Sequence, residues 1–120
     1  MPAHKPEELH ELFVAAFNQA DIEALTRLYE PDALLVLATG DVKGHAAIGE
    51  AYRQLLARGG HMQLHTRRVM DSGKGLAVLH SAWAIDRGEG KAFGVSTEVV
   101  RQQTDGSWLF LLDEPTTPTS

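Results

Sequence analysis

The sequence predicts an α+β fold in which three N-terminal helices pack on one face of an antiparallel sheet. Apolar residues recur with a period of about 3.6 up to Gly60 and with a period of about 2 after it. Turn signals divide the second half into four strands, and Asp105-Gly106 is the strongest hairpin signal. Helices that precede a run of antiparallel strands gather on one face of the sheet, which is the α+β arrangement.

Three amphipathic helices are predicted in the first half of the chain. The first opens at Pro6, Asp21 caps the second, which Pro31 ends, and the third follows Gly44 and stops at Gly59-Gly60. Each helix carries one apolar stripe that faces a core. The stripes comprise Leu9, Leu12, Phe13, Ala16 and Phe17; Ile22, Leu25, Leu28 and Tyr29; and Ile48, Ala51, Tyr52, Leu55 and Leu56.

Strands account for most of the remaining chain. A short apolar run from Ala33 to Ala38 predicts a buried strand, and the four long strands are expected at His61 to Asp71, Gly75 to Asp86, Lys91 to Thr104 and Ser107 to Asp113. The second long strand is apolar on both faces and is therefore expected at the centre of the sheet. We predict a single domain over residues 1–114, followed by a Pro/Thr-rich tail at residues 115–120 that frays.

Composition excludes several classes of function. The chain has 120 residues, a net charge of −5, scattered Lys and Arg, and no cysteine. We therefore expect no nucleic-acid partner, no disulfide and no thiol nucleophile. No stretch approaches the ~18 apolar residues of a membrane span, so we expect a cytoplasmic protein without a membrane partner. Six histidines are dispersed along the chain, and we predict neither a metal site nor a cofactor.

Three segments carry a resemblance to a known family. They read LFVAAFNQADIEALTRLYEPDALLV at residues 12–36, GDVKGHAAIGEAYRQLL at residues 40–56 and STEVVRQQTDGSWLFLLDEP at residues 96–115. Together they resemble the SnoaL-like branch of the nuclear transport factor 2-like superfamily, which includes ketosteroid isomerase, scytalone dehydratase, limonene epoxide hydrolase and polyketide cyclases. The resemblance implies a cystatin-like cone, in which three helices cap a curved, mainly antiparallel sheet around a pocket. It also implies a homodimer formed through the outer face of the sheet.

The catalytic groups of ketosteroid isomerase are mostly absent from this sequence. The resemblance places Phe13 where the isomerase has an oxyanion-hole tyrosine, and Leu37 where it has the general-base aspartate. Glu98 is the counterpart of the second oxyanion-hole acid, with one methylene more. Because no base would take the proton and no tyrosine hydroxyl would hold the enolate, steroid isomerisation is disfavoured.

Two side-chain groupings could carry chemistry. A two-residue loop at Asp105-Gly106 would pair Val100 with Leu111 and Glu98 with Asp113, and two adjacent carboxyls in a dry site share a proton near neutral pH. The alternative is that a cation such as Arg101 neutralises this pair or that Asp113 is solvated. The second grouping is a band of His65, His80 and Glu98 across the sheet, in which a carboxylate orients a histidine base. A register slip of one residue would break this band.

The expected site has catalytic Glu98 and His80. The substrate-binding residues are expected to be Phe13, Tyr29, Leu37, Tyr52, His65 and Asp113. We expect a small apolar or carbonyl-containing ligand.

Two functions fit this site. The first is a cofactor-independent isomerase, cyclase or dehydratase that transfers protons on a carbonyl or polyketide-like substrate. The second is a noncatalytic ligand-binding protein or a dimeric assembly protein. A cavity that is open to solvent and holds two or more titratable groups would favour the first, whereas a filled or purely apolar cavity would favour the second.

Overall fold

A single curved sheet of six strands, with three helices on its concave face, makes up the computed structural model, which describes residues 2–116. The helices are α1 (Glu8–Asn18), α2 (Ile22–Arg27) and α3 (His45–Leu56). The strands are β1 (Tyr29–Leu35), β2 (Val42–Lys43), β3 (His61–Asp71), β4 (Leu76–Asp86), β5 (Lys91–Gln102) and β6 (Trp108–Thr116), in the spatial order β2-β1-β6-β5-β4-β3. All neighbours pair antiparallel except β1 and β6, which are parallel. The predicted α+β class is confirmed.

The second helix is shorter than predicted. It ends at Arg27, and Tyr29 opens β1 instead of completing a helical stripe. Pro31 explains the change, because a proline disfavours the helical conformation of the residue before it and forces the chain to leave the helix early. Within β1, Pro31 lies between Tyr29 and Leu34, where the register against β6 shifts, so its missing N–H costs the ladder little.

The turn between β5 and β6 is one residue longer than predicted. The Gln103 N–H donates to the Ser107 carbonyl at 2.7 Å, and the Gly106 N–H donates to the Gln103 carbonyl at 2.9 Å. Gly106 has a φ of +89°, as the last position of a three-residue hairpin loop requires. The loop displaces the adjacent register, and Val100 therefore pairs with Phe110 rather than with Leu111.

An irregularity in the ladder then restores the expected register. Between Val99 and Val100 the pairing shifts by one residue, and Val99 pairs with Leu112. Glu98 therefore pairs with Asp113, as predicted. Bulges of this kind commonly re-aim side chains next to functional sites.

The sheet has one covered and one uncovered face. The covered, concave face carries Leu79, Ser81, Glu98 and Asp113, all of them buried. The opposite, convex face includes Phe93 and Val95, whose side chains are 60% and 46% exposed. Alternation along antiparallel strands places successive side chains on opposite faces, which separates these two sets.

Polar contacts fix the helices to the sheet. At the end of α1, the Asn18 side chain donates to the Met62 carbonyl at 3.0 Å and accepts from the Met62 N–H at 2.7 Å. At the start of α3, the His45 Nε2–H donates to the Tyr29 carbonyl at 2.7 Å. These bonds satisfy strand backbone groups and set the distance between helices and sheet.

The chain was expected to fray from residue 115 onward, and this expectation needs revision. Pro115 and Thr116 pair with Ser96 and Val95 and extend β6 beyond the expected domain end. The rest of the predicted tail, residues 117–120, lies outside the described residues. Within residues 2–116, no helix is long and apolar enough to cross a membrane.

Candidate active site

A cavity of about 790 Å³ opens between the helices and the concave face of the sheet. Its volume lies within the range of ~300–1,000 Å³ that small-molecule sites occupy. Apolar side chains dominate the lining, and two buried residues with carboxyl groups and one buried tyrosine contribute to it. The lining includes Phe13, Leu37, Tyr52, Trp83, Glu98 and Asp113.

Asp113 lies at the end of a chain of hydroxyl groups. The Tyr29 hydroxyl donates to Asp113 Oδ2 at 2.5 Å, and the Tyr29 and Tyr52 hydroxyls are also 2.5 Å apart. Since the Tyr29 proton is committed to Asp113, the Tyr52 hydroxyl donates to Tyr29. Desolvation, followed by the charge of Asp113, raises the pKa of both tyrosines well above the ordinary value, so both hydroxyls remain protonated.

Glu98 has a different partner. Its Oε1 lies 2.5 Å from His10 Nε2, and the other ring nitrogen of His10 lies 2.7 Å from the Thr66 hydroxyl. Both His10 and Glu98 are buried. An ionised carboxylate only accepts hydrogen bonds, so the His10 Nε2–H donates to Glu98. The Thr66 hydroxyl then fixes the orientation of the ring from the opposite side.

Burial increases the affinity of Asp113 for its proton. Desolvation, with a smaller contribution from the negative charge of Glu98, raises the pKa of Asp113 to about 8. The hydrogen bond from Tyr29 opposes this rise. Asp113 is therefore neutral near pH 7 and can donate a proton. The site joins a neutral carboxylic acid to a carboxyl group that is hydrogen-bonded to histidine.

The predicted band of His65, His80 and Glu98 does not form. Glu98 pairs with Leu79, whereas His80 pairs with Thr97 and Arg68, and its side chain lies on the convex face. His65 pairs with Ala82 on that same face. The placement of His80 and His65 at the site is therefore wrong, because each lies one register position away from the concave face.

Four of the five predicted residues outside this band line the cavity directly. Phe13, Leu37 and Tyr52 contribute to its wall, and Asp113 lies on its floor. Tyr29 is fully buried behind Asp113 and acts on the cavity only through that carboxyl. Among the predicted site residues, Glu98, Asp113 and Tyr52 are thus the polar groups that the fold brings together at the cavity.

His10 is a site residue that sequence reasoning missed. It occupies a helical position three residues before Phe13 and seven before Phe17, within the buried stripe of α1. A polar residue at a core position is an informative signal, because buried polar groups need partners. Its partner Glu98 is 88 residues away in sequence, which no local pattern reveals.

Other charged groups expected near the site lie elsewhere. Arg101 does not neutralise the carboxyl pair, because its guanidinium binds Glu30 with two hydrogen bonds of 2.6 and 2.8 Å. These bonds lower the pKa of Glu30. His61 and His65 have HxxxH spacing but lie exposed on β3. Across residues 2–116, no group of three or more His, Asp or Glu side chains is arranged to hold a metal ion.

Sequence comparison decides the family. The SnoaL-like domain model matches residues 10–109, which contain most of α1, all of α2 and α3, and most of the sheet. The chain belongs to the SnoaL-like domain family. No curated protein matches this sequence.

Solved structures share this fold. A ketosteroid isomerase-like protein from Erwinia carotovora atroseptica SCRI1043 has a TM-score of 0.80 and 21% identity, over 93% of this chain and 94% of that one. A nuclear transport factor 2-like protein of unknown function from Shewanella oneidensis MR-1 has a TM-score of 0.81 and 18% identity, over 91% and 93%. A domain with a cystatin-like fold from Nostoc punctiforme PCC 73102 has a TM-score of 0.82 and 16% identity, over 94% and 75%. The predicted cystatin-like architecture is confirmed, and identities at this level show the fold alone.

Proposed function

We propose that this SnoaL-like protein is a cofactor-independent enzyme that transfers protons on a carbonyl-containing small molecule. The observation that carries the proposal is the pair of buried carboxyls, Glu98 and Asp113, side by side at the floor of a cavity open to solvent. Their partners differ, so one carboxyl can act as the base and the other as the acid at the same pH.

In this mechanism the Glu98 carboxylate removes a proton from the carbon next to the carbonyl group. The electron pair of the broken C–H bond forms a C=C bond, and the carbonyl oxygen takes up the developing negative charge. Neutral Asp113 donates its proton to that oxygen, which yields an enol. Return of a proton from Glu98 to carbon and of the hydroxyl proton to Asp113 completes an isomerisation or an exchange and restores the site.

The cavity walls suit an apolar substrate. Phe13, Leu37 and Trp83 contribute apolar surface, and the carboxyl pair and Tyr52 are the polar groups at its floor. Apolar walls exclude water and so strengthen the electrostatic interaction between the acid and the developing oxyanion. The Tyr52 hydroxyl, on the cavity wall, is hydrogen-bonded to the Tyr29 hydroxyl, which donates to Asp113. Tyr52 is therefore connected to Asp113 through Tyr29.

The test is hydrogen–deuterium exchange at the α-carbon of 2-tetralone, an apolar enolisable ketone, followed by NMR in D2O. The wild-type protein is expected to accelerate exchange. Glu98→Gln and Asp113→Asn are each expected to reduce the acceleration by about 100-fold or more, the usual contribution of general acid–base catalysis. Glu50→Gln is the matched control, because Glu50 is exposed on α3 and does not line the cavity.

A second candidate function is noncatalytic ligand binding. The apolar side chains at Phe13 and Leu37 favour it, because the resemblance places catalytic groups of ketosteroid isomerase at these positions. Wild-type protein that binds 2-tetralone without accelerating exchange would support this alternative and contradict catalysis on this class of ketone. Acceleration that persists in both carboxyl variants would show that the floor of the cavity is not the reactive centre.

We further propose that the protein forms a homodimer through the convex face of the sheet. Phe93 and Val95 are exposed on that face, and Val78, Ala82 and Val99 lie on the same side of the strands. An apolar sheet face exposed in one chain is best covered by its own copy in a symmetric pair. Light scattering at micromolar concentration is expected to give the mass of a dimer, and Val95→Lys the mass of a monomer. A wild-type monomer would contradict the proposal.

A further inference from the structure

The cavity has a buried floor and an exposed mouth. Its floor contains Tyr52, Glu98 and Asp113, each at most 5% exposed. Its mouth is formed by exposed and half-buried side chains from the end of α3, the end of β4, the loop after β1 and the end of β6. These are Thr39, Gln54, Arg58, Arg87, Glu114 and Thr116. Two of the six are arginines.

Arg87 has an unsatisfied group at this mouth. Its Nε–H is buried and finds no acceptor within residues 2–116. Its side chain runs past Gly60, where a Cβ would come within 3.1 Å of Arg87 Cγ. The missing side chain at Gly60 thus leaves the space in which the Arg87 stem lies. This Nε–H has no exposed surface, so a ligand in the cavity would contact the terminal nitrogens of the same guanidinium.

Arg58 supplies a second cation without a partner. Arg27, Arg53 and Arg101 form ion pairs with glutamates, but in the described part of the chain neither Arg58 nor Arg87 does. Arg58 follows the C-terminus of α3 and is exposed at the mouth. Glu114 is the one acidic side chain among these six residues, against two arginines. The mouth therefore carries a net positive charge.

We propose that the ligand of this cavity is a carbonyl compound that bears an anionic group, which Arg87 and Arg58 bind at the mouth while the carbonyl reaches the floor. The terminal nitrogens of Arg87 and Arg58 offer N–H donors that fit a carboxylate, sulfonate or phosphate. The inference deepens the proposed function, since it names the substrate class for the same cavity. Anion selection at the mouth is nevertheless separable from chemistry at the floor.

The experiment compares two dyes that differ by one anionic group. The probes are 8-anilinonaphthalene-1-sulfonate and N-phenyl-1-naphthylamine, its uncharged parent. Binding to the full-length protein is followed by dye emission and by quenching of Trp83, which lines the cavity, with Trp83→Phe to identify the cavity signal. Competition of the two dyes for that signal verifies that they share the site.

Arg87→Met is expected to weaken the sulfonate dye about 10-fold, because it removes a charged donor but keeps an apolar stem. Arg58→Met, at a more exposed position, is expected to weaken the same dye about 3-fold. Neither variant should change the affinity for the uncharged dye by more than about 2-fold. Arg53→Met is the matched control on α3, because Arg53 is exposed but does not line the cavity. Added salt should weaken only the sulfonate dye.

Three outcomes would overturn the inference. They are equal loss of both dyes in the arginine variants, unchanged binding of the sulfonate dye in both variants, and the absence of a Trp83-linked signal with either dye. None of them depends on proton exchange. Loss of exchange in the carboxyl variants together with unchanged dye selectivity would leave the proposed function standing and reject the anionic ligand. Exchange that is unchanged in the carboxyl variants, together with selective loss of the sulfonate dye in the arginine variants, would reject the proton transfer and retain the anionic ligand.

Discussion

The two carboxyls at the cavity floor are neighbours in the sheet but belong to different hydrogen-bond chains. Glu98 is bonded to an imidazole, His10, and Asp113 to a phenol, Tyr29. An imidazole can hold a positive charge beside a carboxylate, whereas a tyrosine hydroxyl offers one neutral donor. Both carboxyls are almost fully buried, so the chemistry of their partners distinguishes them more than the extent of burial does.

The two carboxyls also contribute differently to the stability of the folded protein. A carboxylate with an imidazole partner is stable only while the partner is present, since a lone buried charge is strongly unfavourable. A neutral carboxylic acid tolerates burial as long as it keeps its proton, so its contribution to stability depends on pH. The variants below separate these two behaviours in one measurement, the free energy of unfolding in urea.

Removal of the imidazole is expected to have the largest effect. His10→Leu leaves the Glu98 carboxyl buried without its partner at Oε1, and we expect a loss of about 3–5 kcal/mol in the free energy of unfolding at pH 7. The double variant His10→Leu/Glu98→Leu removes both polar groups, and it should recover most of that loss. A double variant that is no more stable than His10→Leu would show that the pair is not the source of the cost.

Asp113 should make stability fall as pH rises. Its pKa in the folded protein, about 8, lies above the ordinary value of 3.8, so between these values the folded state binds more protons than the unfolded one. The free energy of unfolding then decreases with pH across that window, by at most about 1.4 kcal/mol per pH unit from this group. In Asp113→Asn this component is absent. The free energy of unfolding of the wild type, minus that of Asp113→Asn, should decrease from pH 5 to pH 7 and again to pH 8.5. A difference that does not change with pH would contradict the assignment.

Tyr29→Phe tests the link between the hydroxyls and Asp113. The substitution removes the donor to Asp113 and leaves the buried Tyr52 hydroxyl without its acceptor, at an expected cost of about 1–3 kcal/mol. The Tyr29 hydrogen bond lowers the pKa of Asp113, so its loss should raise that pKa further. The pH at which stability stops falling should therefore move upward. Tyr52→Phe keeps the bond to Asp113, and we expect it to leave this midpoint close to that of the wild type.

Several parts of this comparison could be predicted from the sequence, and the rest depended on geometry that a sequence does not encode locally. The period change after Gly60 predicted the order of helices and strands, and the hairpin predicted the pairing of Glu98 with Asp113. That pairing is correct although the loop has three residues, because the irregularity at Val99 and Val100 compensates for the extra one. A two-residue loop and an uninterrupted ladder lead to the same pair.

His80 and His10 show why the site was predicted only in part. His80 was placed correctly on an interior strand. The face on which its side chain lies depends on the exact register, and a shift of one residue moves the side chain to the opposite face. His10 lies on a helix whose apolar stripe was predicted, yet its partner comes from a strand distant in sequence. A parallel pairing of β1 with β6 was likewise not foreseen, since it closes across most of the chain. Contacts of this range are set by packing.

Thr66→Val should have the smallest effect of this series. It removes only the hydrogen bond between the Thr66 hydroxyl and the His10 ring. The Thr66 hydroxyl contacts His10 Nδ1 at 2.7 Å and lies at an exposed position of β3, next to the register shift between Thr66 and Arg68. Valine keeps the shape and the strand propensity, and solvent at this position can replace the lost hydroxyl, so we expect a cost of about 0.5–1.5 kcal/mol. The His10–Glu98 bond should persist, which the side-chain NMR signals of His10 would show. A loss of stability as large as that of His10→Leu would mean that Thr66, rather than Glu98, holds the imidazole ring. It would contradict the assignment of His10 as the stabilising partner of Glu98.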